Sequence, residues 1–255
     1  MTASATATGA RTPSTPSAPP RTFVLVHGAW HGGWCYKDMA AILRRAGHTV
    51  YTPTLTGLGE RSHIGGNIVN LDMHVQDVVH MIAYEELRDI VLVGHSYGGM
   101  VITGVADRLA DTISTIVYLD AFVPQNDGDS VRKLAGPSVG DATGAMGMDG
   151  WSVAPPTAES LGVRPGNRDR VDRLCTRQPF ATMLQGLKLS GRHKDIANRH
   201  FVFATGWGGA DANTPFRPYY EKLRDDPAWK VHVVPFGHDM MVDEPDAVAK
   251  LLTMM

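Results

Sequence analysis

One serine stands between glycines in the stretch VLVGHSYGGM, residues 91–100. An apolar run precedes Ser96 and a helical pattern follows it, so the serine falls where a predicted strand ends and a predicted helix begins. A GxSxG motif in that setting is typical of a nucleophile on a tight, strained turn, with Gly94 and Gly98 small enough for strand and helix to approach closely. The N-terminus of the helix would stabilise negative charge beside the hydroxyl. Ser96 is therefore a candidate nucleophile.

Acyl transfer at a serine also requires a base and donors for the developing oxyanion. His238, in PFGHDMM, follows the last predicted strand and precedes the last predicted helix, which is the chain order expected of the base. The stretch VHGAW, residues 26–30, ends the first predicted strand and offers the backbone N–H of Ala29. The N–H of Tyr97, directly after the serine, is the second candidate oxyanion donor.

Short apolar runs alternate with helical patterns along the rest of the chain. The runs predict strands at 22–29, 49–55, 89–95, 113–121, 200–206 and 230–236, and the patterns between them predict helices at 34–48, 71–87, 97–112, 214–225 and 245–254. Strands that are apolar throughout and separated by helices indicate a parallel sheet covered on both faces. The predicted fold is a doubly wound, mostly parallel α/β sheet of about six strands.

Two segments depart from this alternation. Residues 1–21 are rich in Ser, Thr, Ala and Pro and have few large apolar side chains, which predicts a disordered tail before a domain at 22–255. Residues 124–195 are too long for a simple connection, with short helical pieces predicted at 157–162, 167–176 and 178–188. Because this segment follows the strand that ends at Asp120, on the ligand-binding side of such a sheet, we expect it to form a lid.

Composition narrows the class of protein. The 255 residues are 43% hydrophobic with a formal net charge of −2, which gives no electrostatic reason to expect nucleic acid or an anionic membrane as partner. The two cysteines, Cys35 and Cys175, suit a reducing compartment and predict a cytoplasmic protein. His27 and His31 lack a third ligand at useful spacing, so no metal is expected.

Several stretches together resemble the α/β-hydrolase superfamily: FVLVHGAWHGGWCY, YTPTLTGLGERSH, GHSYGGM, VYLDAFVP and GHDMM. More narrowly, they resemble the branch that contains plant methyl-ester esterases, hydroxynitrile lyases and related bacterial esterases. The resemblance covers residues 22–255 apart from the lid. It implies a Ser–His–acid triad that needs no cofactor and acts on a small-molecule ester, in a monomer or a homodimer.

The acid of the triad has two candidates. Members of this branch usually carry an Asp just beyond the strand that here reads HFVFATG, but this chain has Gly206 and Trp207 there. Asp211 stands further along the same loop. Asp120 ends the strand TIVYLD, where other superfamily members such as haloalkane dehalogenases carry the acid. A carboxylate that ends a buried strand needs a partner, which favours Asp120 and leaves Asp211 as the alternative.

The predicted function is therefore hydrolysis of a small to medium, fairly apolar carboxylic ester through an acyl-enzyme. Four side chains are expected to line the substrate pocket: Trp30, Phe122, Trp151 and Met183. Hydroxynitrile lyases of this branch rely on a lysine after the catalytic histidine and often a threonine in the oxyanion loop, where this chain has Asp239 and Ala29. Other carbon–carbon lyase, acyltransferase or lactonase chemistry on the same triad stays open, as does a receptor that binds a small molecule without turnover.

Overall fold

The computed structural model describes residues 19–136, 147–207 and 214–255. In chain order the strands are β1 Thr22–Val26, β2 Thr49–Tyr51, β3 Ile90–His95, β4 Ile113–Leu119, β5 Ser152–Val153, β6 Gln178–Pro179, β7 Asn198–Ala204 and β8 Lys230–Val234. Six of them form one sheet in the order β2-β1-β3-β4-β7-β8, with parallel pairing between all neighbours, and the two short strands β5 and β6 pair antiparallel. The doubly wound parallel sheet predicted from the apolar runs is confirmed.

Helices cover both faces of the sheet. They are α1 Lys37–Arg45, α2 Leu71–Tyr84, α3 Gly98–Arg108, α4 Val131–Ala135, α5 Pro165–Leu174, α6 Ala181–Leu184, α7 Arg217–Leu223, α8 Met240–Asp243 and α9 Pro245–Thr253. Successive residues of a strand point to opposite faces, so Phe23 and Leu25 of β1 pack in the cluster formed with α1 and α9. Val24 and Val26 pack in the cluster formed with α2 and α3. The strands are apolar throughout because both faces are buried.

Apart from β3, the observed strands of the main sheet end earlier than the predicted ones. The strand predicted at 49–55 pairs only over Thr49–Tyr51, and Pro53, which has no N–H to donate to a sheet, follows shortly after. The strand predicted at 22–29 ends at Val26. In both places the remaining predicted residues lie in loops at the carboxyl edge of the sheet, where the candidate site lies.

The predicted lid lies between β4 and β7, and residues 124–136 and 147–195 of it are described. Its base is closed by two backbone bonds, from the N–H of Gly128 to the carbonyl of Leu187 at 2.8 Å and from the N–H of Leu187 to the carbonyl of Asp129 at 2.9 Å. The helix predicted at 178–188 is instead strand β6 followed by the short α6. The helix predicted at 157–162 is a series of turns.

Residues 1–18 of the predicted tail lie outside the described residues. Arg21, which the tail prediction included, already extends the sheet, since its carbonyl accepts the N–H of Thr49 at 3.0 Å. Cys35 and Cys175 are both free thiols. In the described ranges, no helix combines the length and apolar character needed to cross a bilayer.

Candidate active site

The turn between β3 and α3 holds Ser96 in a left-handed backbone conformation, with φ of 53°. A Cβ on Gly94 would lie 2.7 Å from the carbonyl oxygen of Gly98, and one on Gly98 would lie 2.6 Å from that of Val26. The predicted need for small residues here is therefore confirmed. The Ser96 N–H donates to the carbonyl of Leu119 at 3.3 Å, which fixes the turn against the end of β4.

His238 and Asp120 form a buried pair. The imidazole Nδ1 lies 2.7 Å from Asp120 Oδ2, with Asp120 fully buried at the end of β4 and His238 on the loop after β8. Because an ionised carboxylate only accepts hydrogen bonds, Nδ1 carries the proton in this contact and Nε2 of a neutral ring has a free lone pair. Ser96 and His238 line the same cavity. Asp211, the alternative acid, lies outside the described residues.

Two further donors hold the Asp120 carboxylate. The indole Nε1–H of Trp207 donates to Oδ2 at 3.0 Å, and the backbone N–H of Ala204 donates to Oδ1 at 3.2 Å. Trp207 occupies the place where the branch that this chain resembles usually carries the acid of the triad. In this chain that place therefore holds a hydrogen-bond donor to Asp120, the carboxylate after the neighbouring strand β4. The Trp207 ring also contacts the His238 ring, at 4.6 Å between centroids. The sequence prediction did not include this residue.

Ala29 and Tyr97 lie on the cavity wall beside Ser96. Within the described parts of the chain, the backbone N–H groups of both have no hydrogen-bond acceptor. The Gly28–Ala29 peptide, which carries the Ala29 N–H, is fixed by His27. The Nε2 of His27 accepts the N–H of Leu55 at 3.0 Å, so its Nδ1–H donates to the carbonyl of Gly28 at 2.8 Å. Burial lowers the pKa of His27 to about 3, which keeps this ring neutral. The N–H groups of Ala29 and Tyr97 are thus available to donate hydrogen bonds to an anion beside Ser96.

A second buried acid–base pair lies beside the first. His31 Nε2 is 3.0 Å from Asp239 Oδ2, and His31 Nδ1 is 2.7 Å from the carbonyl of Ala29. Burial opposes charge on both groups, but the Asp239 carboxylate raises the pKa of His31 well above its usual value. His31 in turn holds the pKa of Asp239 well below its usual value. A protonated His31 thus connects the loop after β1 to the residue that follows His238.

His95 completes this cluster. Its Nε2 lies 3.1 Å from the carbonyl oxygen of His238, and burial, followed by the proximity of His238, lowers its pKa well below the usual value. His95, His238 and Asp239 each offer one ligand atom, all within 4.8 Å of one another. The bonds that His238 makes to Asp120 and Asp239 makes to His31 favour a hydrogen-bonded network over a metal site.

The cavity between sheet and lid has a volume of about 460 Å³. Its lining residues in the described chain are Ala29, Trp30, Ser96, Tyr97, Phe122, Val131, Ala135, Pro156, Leu161, Met183, Trp207, Pro215, Phe216 and His238. Trp30, Phe122 and Met183 from the sequence prediction are among them. Trp151 is not among these lining residues and lies against Gly65, where a Cβ would come within 2.7 Å of the Trp151 ring.

A parallel sheet with a serine turn after β3, a carboxylate after β4 and a histidine after β8 defines an α/β-hydrolase architecture. The chain matches the model of the alpha/beta hydrolase family over residues 23–251, and it belongs to that family. A carbendazim hydrolyzing esterase from Nocardioides sp. (strain SG-4G) is 48% identical over 241 residues, which cover 90% of this chain and 97% of that protein.

Other relatives agree on this class. Methyl jasmonate esterase 1 of Vitis vinifera is 33% identical over 108 residues, 42% of this chain and 41% of that protein. Among solved structures, an extracellular α/β-hydrolase from a Paenibacillus species, described as sharing structural and functional homology with tobacco salicylic acid binding protein 2, superposes with a TM-score of 0.78. That structure is 26% identical, and the match covers 92% of this chain and 98% of the other. The protein is a carboxylic ester hydrolase.

Proposed function

We propose that this protein hydrolyses esters through an acyl-enzyme on Ser96, with His238 as base and Asp120 as the acid that orients it. The observation that carries the proposal is the 2.7 Å contact between His238 Nδ1 and Asp120 Oδ2, in a histidine that shares a cavity wall with Ser96. This contact selects the tautomer in which Nε2 is free to take the serine proton.

The reaction divides into two transfers. Ser96 Oγ attacks the ester carbonyl while His238 Nε2 takes its proton, and the N–H groups of Ala29 and Tyr97 stabilise the oxyanion. His238 then returns the proton to the leaving alcohol, which departs and leaves an acyl-serine. Water attacks this acyl group while His238 takes its proton, and His238 returns that proton to Ser96 Oγ as the acyl–oxygen bond breaks and the carboxylic acid is released.

The substrate that we propose is a small to medium neutral ester. In the described lining, His238 is the one titratable group near Ser96 besides the phenol of Tyr97, and the other side chains are mainly aliphatic or aromatic. The 48% identity to a carbendazim hydrolyzing esterase makes carbendazim, a methyl carbamate on a planar aromatic ring, the first specific substrate to test. A volume of about 460 Å³ is in the range of small-molecule sites.

The test compares the native protein with Ser96→Ala on p-nitrophenyl butyrate and on carbendazim. We expect turnover of both by the native protein and a loss of at least about 10³-fold in kcat for the variant, since removal of a triad serine abolishes covalent catalysis. Mass spectrometry after treatment with a fluorophosphonate should show one adduct on Ser96 in the native protein and none in the variant. Turnover that survives in Ser96→Ala would refute the proposed mechanism.

A further inference from the structure

The lid carries a fully buried glutamine that reaches the candidate oxyanion loop. Gln178 is 0% exposed, and its Oε1 accepts the backbone N–H of Trp30 at 3.0 Å. Its Nε2–H donates to Thr182 Oγ1 at 2.7 Å, and that hydroxyl donates to the carbonyl of Pro179 at 2.6 Å. Because the Thr182 proton is used on Pro179, the hydroxyl can only accept from Gln178, and this fixes which end of the amide faces Trp30.

Trp30 needs such support because its backbone is strained. Its φ is 65°, a left-handed conformation that is unfavourable for a residue with a Cβ and persists only where surrounding contacts enforce it. Two more contacts from the lid help to enforce this conformation. The Trp30 carbonyl accepts the N–H of Thr176 at 2.8 Å, and the indole Nε1–H donates to the carbonyl of Val153 at 3.2 Å. The lid thus bonds the N–H, the carbonyl and the side chain of one residue.

The residue held in this way directly follows Ala29. The Trp30 N–H belongs to the Ala29–Trp30 peptide, whose carbonyl accepts from His31 at 2.7 Å. The peptide before it is fixed at the carbonyl of Gly28 by His27. The Ala29 N–H lies in this Gly28–Ala29 plane, and the Ala29–Trp30 plane held by the lid fixes the other side of the Ala29 Cα. The two planes together set the φ and ψ of Ala29 and thus the position of its N–H, because each peptide is planar. Of these bonds, the one to Trp30 N–H comes from the lid.

We propose that Gln178 is a positioning residue for the oxyanion site, so that seating of the lid and orientation of the Ala29 N–H are one coupled event. This inference rests on the proposed function, in which that N–H stabilises the oxyanion. An amide that is misaligned stabilises the transition state less than a preorganised one, while the apolar cavity that binds the ground state stays in place. Loss of the Gln178 contact therefore acts on kcat more than on KM.

The experiment compares Gln178→Met with Gln185→Met on p-nitrophenyl butyrate. Both glutamines belong to the lid, and Gln185 Oε1 likewise accepts a backbone N–H, that of Asp72 at 2.9 Å, away from the cavity. We expect Gln178→Met to lower kcat by about 10- to 100-fold with KM changed by less than about threefold, somewhat less than deletion of an oxyanion donor itself costs. Gln185→Met should retain kcat within about twofold.

A second readout separates positioning from a merely structural role. An alkyl trifluoromethyl ketone forms a tetrahedral adduct with an oxyanion, whereas the matching secondary alcohol fills the same cavity without one. Gln178→Met should lower the affinity for the ketone by the same factor as kcat and leave the affinity for the alcohol unchanged. Equal effects of Gln178→Met and Gln185→Met on kcat and on ketone affinity would overturn the inference. Activity that remains in Ser96→Ala would instead show that the proposed function fails.

Should Gln178→Met not fold, Thr182→Val gives the same test with a smaller change. It removes the acceptor of the Gln178 Nε2–H and releases the amide to rotate, while side-chain volume is kept. The inference then requires a fall of about 3- to 10-fold in kcat at constant KM. An unchanged kcat in this variant would contradict it.

Discussion

At the scale of single residues, Asp120 is the best-supported element of the proposed triad. It is fully buried, its φ of 44° directs a left-handed turn after β4, and its carboxylate accepts from His238, Trp207 and Ala204. Three donors thus hold the orientation of this buried carboxylate. The negative charge of a carboxylate is what an imidazole needs beside it when it takes a proton from a serine.

Substitution of the two candidate acids should affect kcat differently. Asp120→Asn should lower kcat by about 10³- to 10⁴-fold, because an amide cannot stabilise the imidazolium and favours the wrong tautomer of His238. Asp211→Asn is the matched control and should keep kcat close to that of the native protein. Steady-state kinetics on p-nitrophenyl butyrate decide the matter. A large loss in Asp211→Asn alone would mean that the acid lies on the loop after β7.

At the scale of elements, the loops after β1 and β8 are joined by the His31–Asp239 pair. Both side chains are buried, and the pair connects Ala29, which we propose as an oxyanion donor, to the residue that follows His238. Removing one partner of a buried ion pair leaves the other uncompensated, at a cost of about 3–5 kcal/mol. The pair therefore contributes to holding two loops of the site in register.

The ionisation of this pair predicts how stability depends on pH. The lowered pKa of Asp239 adds stability that is present above the unfolded value of about 3.9 and is lost as pH falls. The raised pKa of His31 adds stability that is complete below about 6.5 and is lost as pH rises through the folded value. The destabilisation caused by Asp239→Asn should thus be largest near pH 5.5 and shrink by pH 9.5.

Urea unfolding of the native protein and Asp239→Asn at pH 5.5, 7.5 and 9.5 measures this difference. The difference between the free energies of unfolding of the two proteins cancels the contributions of all other titrating groups, which the two proteins share. A gap in the free energy of unfolding that stays constant from pH 5.5 to 9.5 would show that His31 is not protonated in the folded state.

The elements also show which features the sequence could predict. Apolar runs predicted all six strands of the main sheet, because burial on both faces leaves a continuous signal, and the residues at strand ends predicted Ser96 and His238 as site candidates. Trp207, Gln178 and the His31–Asp239 pair could not be found in this way. Each contacts a residue far away in the chain, as Gln178 does with Trp30, and no local pattern marks such a contact. The contact of Trp151 with Gly65 could not be predicted for the same reason, since an aromatic in the lid can face either side.

At the scale of the whole molecule, sheet and lid enclose a cavity whose described lining has no Asp, Glu, Lys or Arg. The lining combines Phe122, from the loop after β4, with Met183, from α6 of the predicted lid. An acyl group in this cavity gives up water and gains apolar contacts. Charge on the acyl chain therefore has no compensating partner among these residues.

Selectivity between matched esters follows from this lining. p-Nitrophenyl butyrate and mono-p-nitrophenyl succinate have acyl chains of the same carbon number, but the succinate ends in a carboxylate at neutral pH. Burying that charge without a partner is costly, so we expect kcat/KM for the succinate to be at least about 100-fold lower, equivalent to about 2.7 kcal/mol. The methyl ester of the succinate is the control, since it restores neutrality at similar length and should recover most of the loss. Equal rates on butyrate and succinate would place the acyl chain outside the cavity, in solvent.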